Sequence, residues 1–242
     1  MLLAVDKPSG LLVHRGWGRD ATTLVDLVRE TLGVEVVHPL HRLDRQTSGV
    51  VLFALNADVA RDMRDAFEGG EPALGPAALA NDTVNGRVIG SDSVEKRYLA
   101  LVRGVAPESG RIDHPIPRRE GGPRVPAVTD FRRVAQAPTE PRQVSLVEAL
   151  PRTGRLHQVR RHLKHIDHHV IGDANYGKGA VNRALAERYG LERMALHATS
   201  LAFPHPGGGG SLTVTAPLPR DLLEPLGRMG FDASLLGSLS EP

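Results

Sequence analysis

Cysteine is missing from all 242 residues. Its absence excludes disulfides, thiolate nucleophiles and cysteine-ligated zinc or iron–sulfur centres together. No apolar run approaches the roughly 20 residues that span a bilayer. A charge arrives at Asp6, too early for the apolar region of a signal peptide, so a soluble, cytoplasmic chain is expected. No serine sits in a Gly-x-Ser-x-Gly elbow, and no Gly-Lys-Ser/Thr follows the glycines at 207–210, so neither a hydrolase elbow nor a phosphate loop is present. Lysine is scarce as well, supplying only 4 of the 30 basic residues. The net charge is only +2, yet the isoelectric point is near 9.2. Arginine's planar fork suits phosphates and bases, but GC-rich coding inflates arginine too, so only local clustering can point to nucleic acid.

Ordinary proportions of apolar (40%) and charged (24%) residues argue for a folded chain rather than disorder, and the length suits a single domain over 1–242. Short strands are expected at Met1–Val5 and Leu11–Val13, and a helix over Thr22–Leu32 with Leu24, Leu27, Val28 and Leu32 on its core stripe. Val50–Leu55 reads as a buried strand, and a helix beginning at Asn56 presents Val59, Met63, Ala66 and Phe67. Residues 69–93, rich in Gly, Pro, Ala and Asn, break the pattern and read as a surface insertion. Strands follow at Arg97–Arg103, Ala127–Val134, Gln143–Leu150 and Leu212–Thr215, with a basic loop at Arg118–Pro126. Helices are predicted over Gly154–Ile166 and Ala180–Tyr189, and the tail from Asp221 is weakly amphipathic. Strands succeeding one another without crossover helices imply an α/β fold of the α+β type, with a mostly antiparallel mixed sheet and flanking helices.

Local clustering of arginine appears at Arg152–His165, which holds five Arg or Lys, three His and no acid. On a helical wheel Leu156, Val159, Leu163 and Ile166 form one stripe. His157, Arg161 and Lys164 lie opposite, and Arg160 falls at the border between core and water. Such a helix faces phosphates, or is simply a solvated basic face. A border arginine is half-desolvated and needs an acidic partner. The candidate is Asp44 in His41-Arg-Leu-Asp-Arg-Gln-Thr-Ser-Gly49, where flanking Arg42 and Arg45 should hold it ionised, fit for a nucleophile or base. A plain loop salt bridge would explain the same residues. His162, His165, His168 and His169 cluster, but no carboxylate joins them at helical ligand spacing, and no metal is expected. Tyr98 lies on a predicted strand, and the sole tryptophan, Trp17, sits in a basic turn; either can stack or simply pack.

These segments together resemble the RluA family of pseudouridine synthases. The resemblance rests on Val5–Gly10, His41–Gly49, Lys96–Ala100, Thr153–Arg160, Ile171–Gly177, Leu196–Ala198 and Phe203–Pro206, in that order. It implies the pseudouridine synthase fold around a central cleft, an isomerase activity on RNA uridine, and no cofactor. It also implies Asp44 as catalytic carboxylate, Arg160 as its partner, and Tyr98 stacked on the extruded base and helping to remove the C5 proton. Arg42 is implied to fill the vacated space in the stem, with Arg45, His157, Arg161 and Lys164 as further RNA contacts. Val13–Trp17, Pro126–Thr129, Arg160–Leu163 and Asn182-Arg183 are similar to the group acting on uridine-65 in the T-arm stem of tRNA. The alternatives are a ribosomal RNA synthase of the same family and a non-catalytic RNA-binding protein. Neither a membrane nor an obligate protein partner is implied.

Overall fold

A computed structural model describes residues 1–15, 22–68 and 94–239. The expected insertion at 69–93 and Trp17 lie outside the described residues. In chain order the elements are β1 (Leu2–Lys7), α1 (Leu24–Leu32), β2 (His38–Pro39), β3 (Ser48–Ala54), α2 (Ala57–Glu68), β4 (Glu95–Arg103) and β5 (Ser109–Asp113). Then come β6 (Ile116–Pro117), β7 (Arg124–Val125), β8 (Val128–Ala137), β9 (Val144–Pro151), α3 (Gln158–His165) and α4 (Gly179–Tyr189). The chain closes with β10 (Leu196–Pro204), β11 (Ser211–Thr215), α5 (Arg220–Arg228) and α6 (Ala233–Ser238).

One sheet runs β1-β3-β10-β4-β9-β8-β5, with β11 paired to β10 and β2 to β3; β6 and β7 form a separate ribbon. Every pairing is antiparallel except β3 with β10. Gly49 makes that parallel contact possible. It sits at φ 112, and any Cβ there would collide with the Ala198 backbone. All seven residues of β3 are buried.

Alternation along β4 distributes the helices over both faces of the sheet. Leu99 and Leu101 pack with Leu185 of α4 and with Leu222 and Leu226 of α5. Ala100 and Val102 turn the other way, toward Val159 and Leu163 of α3. Tyr98 shares that second face, so the sheet surface under α3 is also the floor from which Tyr98 rises. Burying Leu163 completely contributes about 1.5–3 kcal/mol.

Several expectations are corrected. Leu11–Val13 is not a strand. Its carbonyls are spent on Lys7 and on the first N–H groups of α1, from Leu12 to Leu24 and from Val13 to Val25. The α1 stripe is half right: Leu24 and Val28 are buried, but Leu27 and Leu32 are 39% and 43% exposed. A capping box between Thr23 and Asp26 starts this helix, and Gly33 at φ 63 ends it. α3 begins at Gln158 rather than Gly154, because His157 takes a left-handed φ of 53 and the residues before it form a loop.

Candidate active site

The Asp44 loop is held from below by Lys7, the last residue of β1. Its ammonium is fully buried and donates to the carbonyls of Pro8 (2.9 Å), Leu11 (2.8 Å) and Arg45 (3.2 Å). Gly10 N–H also donates to the Arg45 carbonyl at 2.8 Å, and Ser9 Oγ to the Gln46 carbonyl at 2.8 Å. Inside the loop Thr47 N–H donates to Asp44 O at 3.1 Å. Burial, followed by the charge of Arg193, pushes the Lys7 pKa down to about 8. Behind the loop Ser48 Oγ meets His197 Nδ1 at 2.8 Å and accepts from Arg193 at 2.6 Å. Ser48 is buried in that network, away from the cleft described below.

Arg160 reaches the loop from α3, 116 residues later in the chain. Gln158 anchors the helix start. Its Nε2 donates to Val128 O (2.8 Å) and Thr129 Oγ1 (3.0 Å), while its Oε1 accepts from Thr153 Oγ1 (2.7 Å) and Arg155 N–H (3.0 Å). The Arg160 guanidinium then makes three charged hydrogen bonds. Nη1 donates to Asp44 Oδ2 at 2.9 Å, and Nε and Nη2 donate to Asp173 Oδ2 (2.7 Å) and Oδ1 (2.9 Å). Asp173 has no exposed side-chain surface and also accepts the N–H groups of Asn175 (2.9 Å) and Tyr176 (3.0 Å). The turn is set by Gly172, at φ 76, where a side chain would strike the Arg193 carbonyl.

Two carboxylates thus share one guanidinium, leaving a net negative charge whose exposed end is Asp44. Burial opposes the charge on Arg160, but its bonds to Asp173 and Asp44 outweigh that and raise its pKa above the usual 12.5. Burial likewise opposes the Asp173 charge, yet Arg160 and the backbone donors hold it below 3.8. Tyr176 covers the assembly, with the Arg160 guanidinium 4.8 Å from its ring centre. Its Oη lies 3.0 Å from His157 Nδ1, and His157 Nε2 is 3.8 Å from Asp44 Oδ1. Burial and the neighbouring Arg160 and Arg161 charges lower the His157 pKa against the pull of Asp44, so its ring is neutral at pH 7.

Above Asp44 opens a cleft of about 320 Å³, at the small end of ligand sites. Tyr98, Val159 and Leu196 give it apolar surface, and Arg42, Lys96, Arg118, Arg155 and Arg160 give it positive charge. Among the described residues Asp44 is the one acid lining it. Burial, then the Asp44 charge, drives the Tyr98 pKa well above 10, so Tyr98 is a phenol at neutral pH. That works against the expectation that it takes the C5 proton. A planar apolar wall, a clamped carboxylate and a rim of cations suit a flat neutral ring attached to a polyanion.

Of the residues singled out in the sequence, the cleft brings together Asp44, Arg160, Tyr98, Arg42 and His157. It does not bring in Arg45, Arg161 or Lys164. Arg161 and Lys164 lie over the Tyr176 ring, at 5.2 and 5.5 Å. The carboxylate of Asp44 is met by Arg160 from a distant helix, the partner expected for it. His162, from the histidine cluster, is fully buried between Thr129 Oγ1 (2.7 Å) and the His114 carbonyl (2.9 Å). Among the described residues no group of His, Asp or Glu is placed to hold a metal ion. Asp173, Lys96, Arg118 and Arg155 had been given no role. Asp173 carried a readable sign: an Asp after a glycine, with Asn175 and Tyr176 two and three residues on, whose N–H groups it caps.

Comparison with known proteins agrees with this geometry. Residues 1–165 match the family described as RNA pseudouridylate synthase. The chain is similar to tRNA pseudouridine synthase C of Haemophilus ducreyi, at 39% identity over 89% of this chain and 86% of the relative. With the protein of the same name from Pasteurella multocida it shares 36% identity over 96% and 93% of the two chains. Among solved structures, human RNA pseudouridylate synthase domain containing 1 superposes with a TM-score of 0.67 at 27% identity, over 90% of this chain and 80% of that one. The human domain containing 4 protein gives 0.66 at 25% identity, over 94% and 89%.

Proposed function

The chain belongs to the RNA pseudouridylate synthase family, and from that premise we propose that it isomerises uridine-65 of tRNA, with Asp44 as the catalytic carboxylate. It is an isomerase, working as one catalytic domain. The N1–C1′ glycosidic bond of uridine breaks, a C5–C1′ bond forms, C5 loses its proton and N1 gains one. Atoms and electrons balance within the nucleotide, so the reaction itself calls for no redox partner or group carrier. The tRNA assignment rests on the relatives named as tRNA synthases.

The observation that carries the reading is the clamped carboxylate at the base of the cleft. Arg160 holds and aims Asp44, while the second carboxylate keeps Arg160 from swinging away. Asp44 acts on the ribose, as nucleophile at C1′ or as base at C2′. The uridine must leave its stack first, at a cost of a few kcal/mol. Tyr98 offers the extruded ring a stacking wall, and exposed Arg42, at the cleft, is placed to fill the gap left in the stem. His157 adds hydrogen-bonding surface in the cleft, and Arg45, Arg161 and Lys164 would meet RNA outside it.

Tritium release from C5-labelled uridine in tRNA tests this. Asp44→Asn should lower release by at least about 10²-fold, since the amide can serve neither as nucleophile nor as base. Release that survives the substitution overturns the proposal. Replacing uridine-65 by cytidine in the transcript should take release to background, and sustained release would move the target elsewhere.

A further inference from the structure

Charge pairing differs sharply between the two faces of β4. On one side Arg97 pairs with Glu95 (2.9 Å) and Glu148 (3.5 Å). Nearby, Arg152 meets Asp130 (2.8 Å) and Glu95 (3.5 Å), and Arg111 meets Asp130 (2.7 Å). Lys96, between Glu95 and Arg97, turns to the cleft side with Tyr98. Among the described residues it has no carboxylate or carbonyl partner. Its ammonium lies 5.8 Å from the centre of the Phe67 ring, which in turn stacks on His41 at 5.6 Å. That ring stack adds no charge. His41 Nε2 accepts Leu52 N–H at 3.1 Å, and burial, followed by the Lys96 charge, takes the His41 pKa down to about 3. Opposite stands Gly154, where a Cβ would be 3.9 Å from the Lys96 nitrogen, so the facing loop leaves the ammonium open to the cleft.

We infer that Lys96 binds a phosphodiester oxygen of the substrate strand within the cleft. A half-buried ammonium is tolerated only when something compensates its charge. An aromatic face does so in part, and burial is the one influence on its own pKa, which it lowers. A neutral uracil carbonyl would leave the positive charge uncompensated, whereas a phosphate oxygen cancels it. Lysine acts as such a point-charge partner for phosphate. The carboxylate of Asp44 is already engaged by Arg160, which leaves Lys96 free for the ligand. The inference rests on the RNA-modifying reading above and adds a residue to it.

The test is the salt dependence of binding to an unmodified tRNA transcript by the full-length protein. Lys96→Gln should weaken binding and reduce the slope of log affinity against log salt by about 0.7–0.9, the share of one phosphate contact. Lys96→Arg should keep the wild-type slope. Gly154→Asp places a carboxylate opposite an intact Lys96 and should reduce the slope by the same amount, even if the glutamine variant folds poorly. Weaker binding with an unchanged slope would show contact with a neutral group, and no change in either would show a purely structural lysine; each result overturns the inference. Tritium release by the wild type, measured alongside, separates the two claims. Wild-type turnover with unmoved slopes sinks the lysine assignment alone, whereas no wild-type turnover sinks the functional reading.

Discussion

Replacing Asp173 by Asn should damage stability far more than chemistry, and Asp44→Asn should do the reverse. Asp173 is wholly buried and receives four hydrogen bonds, two from a guanidinium. An asparagine oxygen in place of Oδ1 can still accept the two backbone N–H groups and Arg160 Nη2, but its amide would then face the Arg160 Nε donor. Breaking one side of a buried ion pair costs about 3–5 kcal/mol. Near this chain length each kcal/mol is worth about 2–4 °C, so Tm should fall by roughly 6–20 °C. Asp44 is 21% exposed, and Arg160 retains Asp173 when Asp44 is neutralised, so that variant should change stability by only about 0–1 kcal/mol. The sign of the acid response follows from the same pair. A carboxyl held below 3.8 in the fold stabilises fully above that pH, and the stabilisation drains away as pH falls through the folded value. The acid limb of the stability curve should therefore be shallower in Asp173→Asn than in wild type. Thermal melts from pH 7 to pH 2, with tritium release measured well below each Tm, provide both readings. Equal melting losses in the two variants, or an unchanged Tm for Asp173→Asn, would refute the reasoning.

Two further outcomes are expected. Lys7→Met removes the donor to three inward carbonyls and should cost about 3 kcal/mol or more; a melt within 1 °C of wild type would show those carbonyls find other partners. Because the Tyr98 phenol titrates well above 10, the rate should show no rise with pH between 7 and 9 that Tyr98→Phe abolishes, and such a rise would restore it as a base.

Much of the site was legible because burial and charge conflict visibly in a helical pattern. Arg160 at the border of the α3 stripe demanded an acid, and Asp44 is that acid. The same argument asks for one partner and stops there, so the second carboxylate, Asp173, escaped it. Arg161 and Lys164 were placed on the phosphate side by a wheel that assumed helix from 154. The left-handed turn at His157 makes the preceding residues a loop, and both cations end over Tyr176. Among strands, β8 and β9 read clearly from their apolar alternation. β10 did not, since a register shift between Ala198 and Ser200 breaks its period and Pro204 ends it. The polar edge strand Ser109–Asp113 buries only Ile112, leaving no pattern to find.

The place of β10 between β3 and β4 bears on synthesis. A growing chain releases the Asp44 loop first and its guanidinium clamp more than a hundred residues afterwards, and the strand that seams the two halves of the sheet emerges later still. Until that seam closes, neither half can present a finished pocket. Nascent or prematurely terminated products therefore carry Asp44 with no Arg160 beside it to aim it.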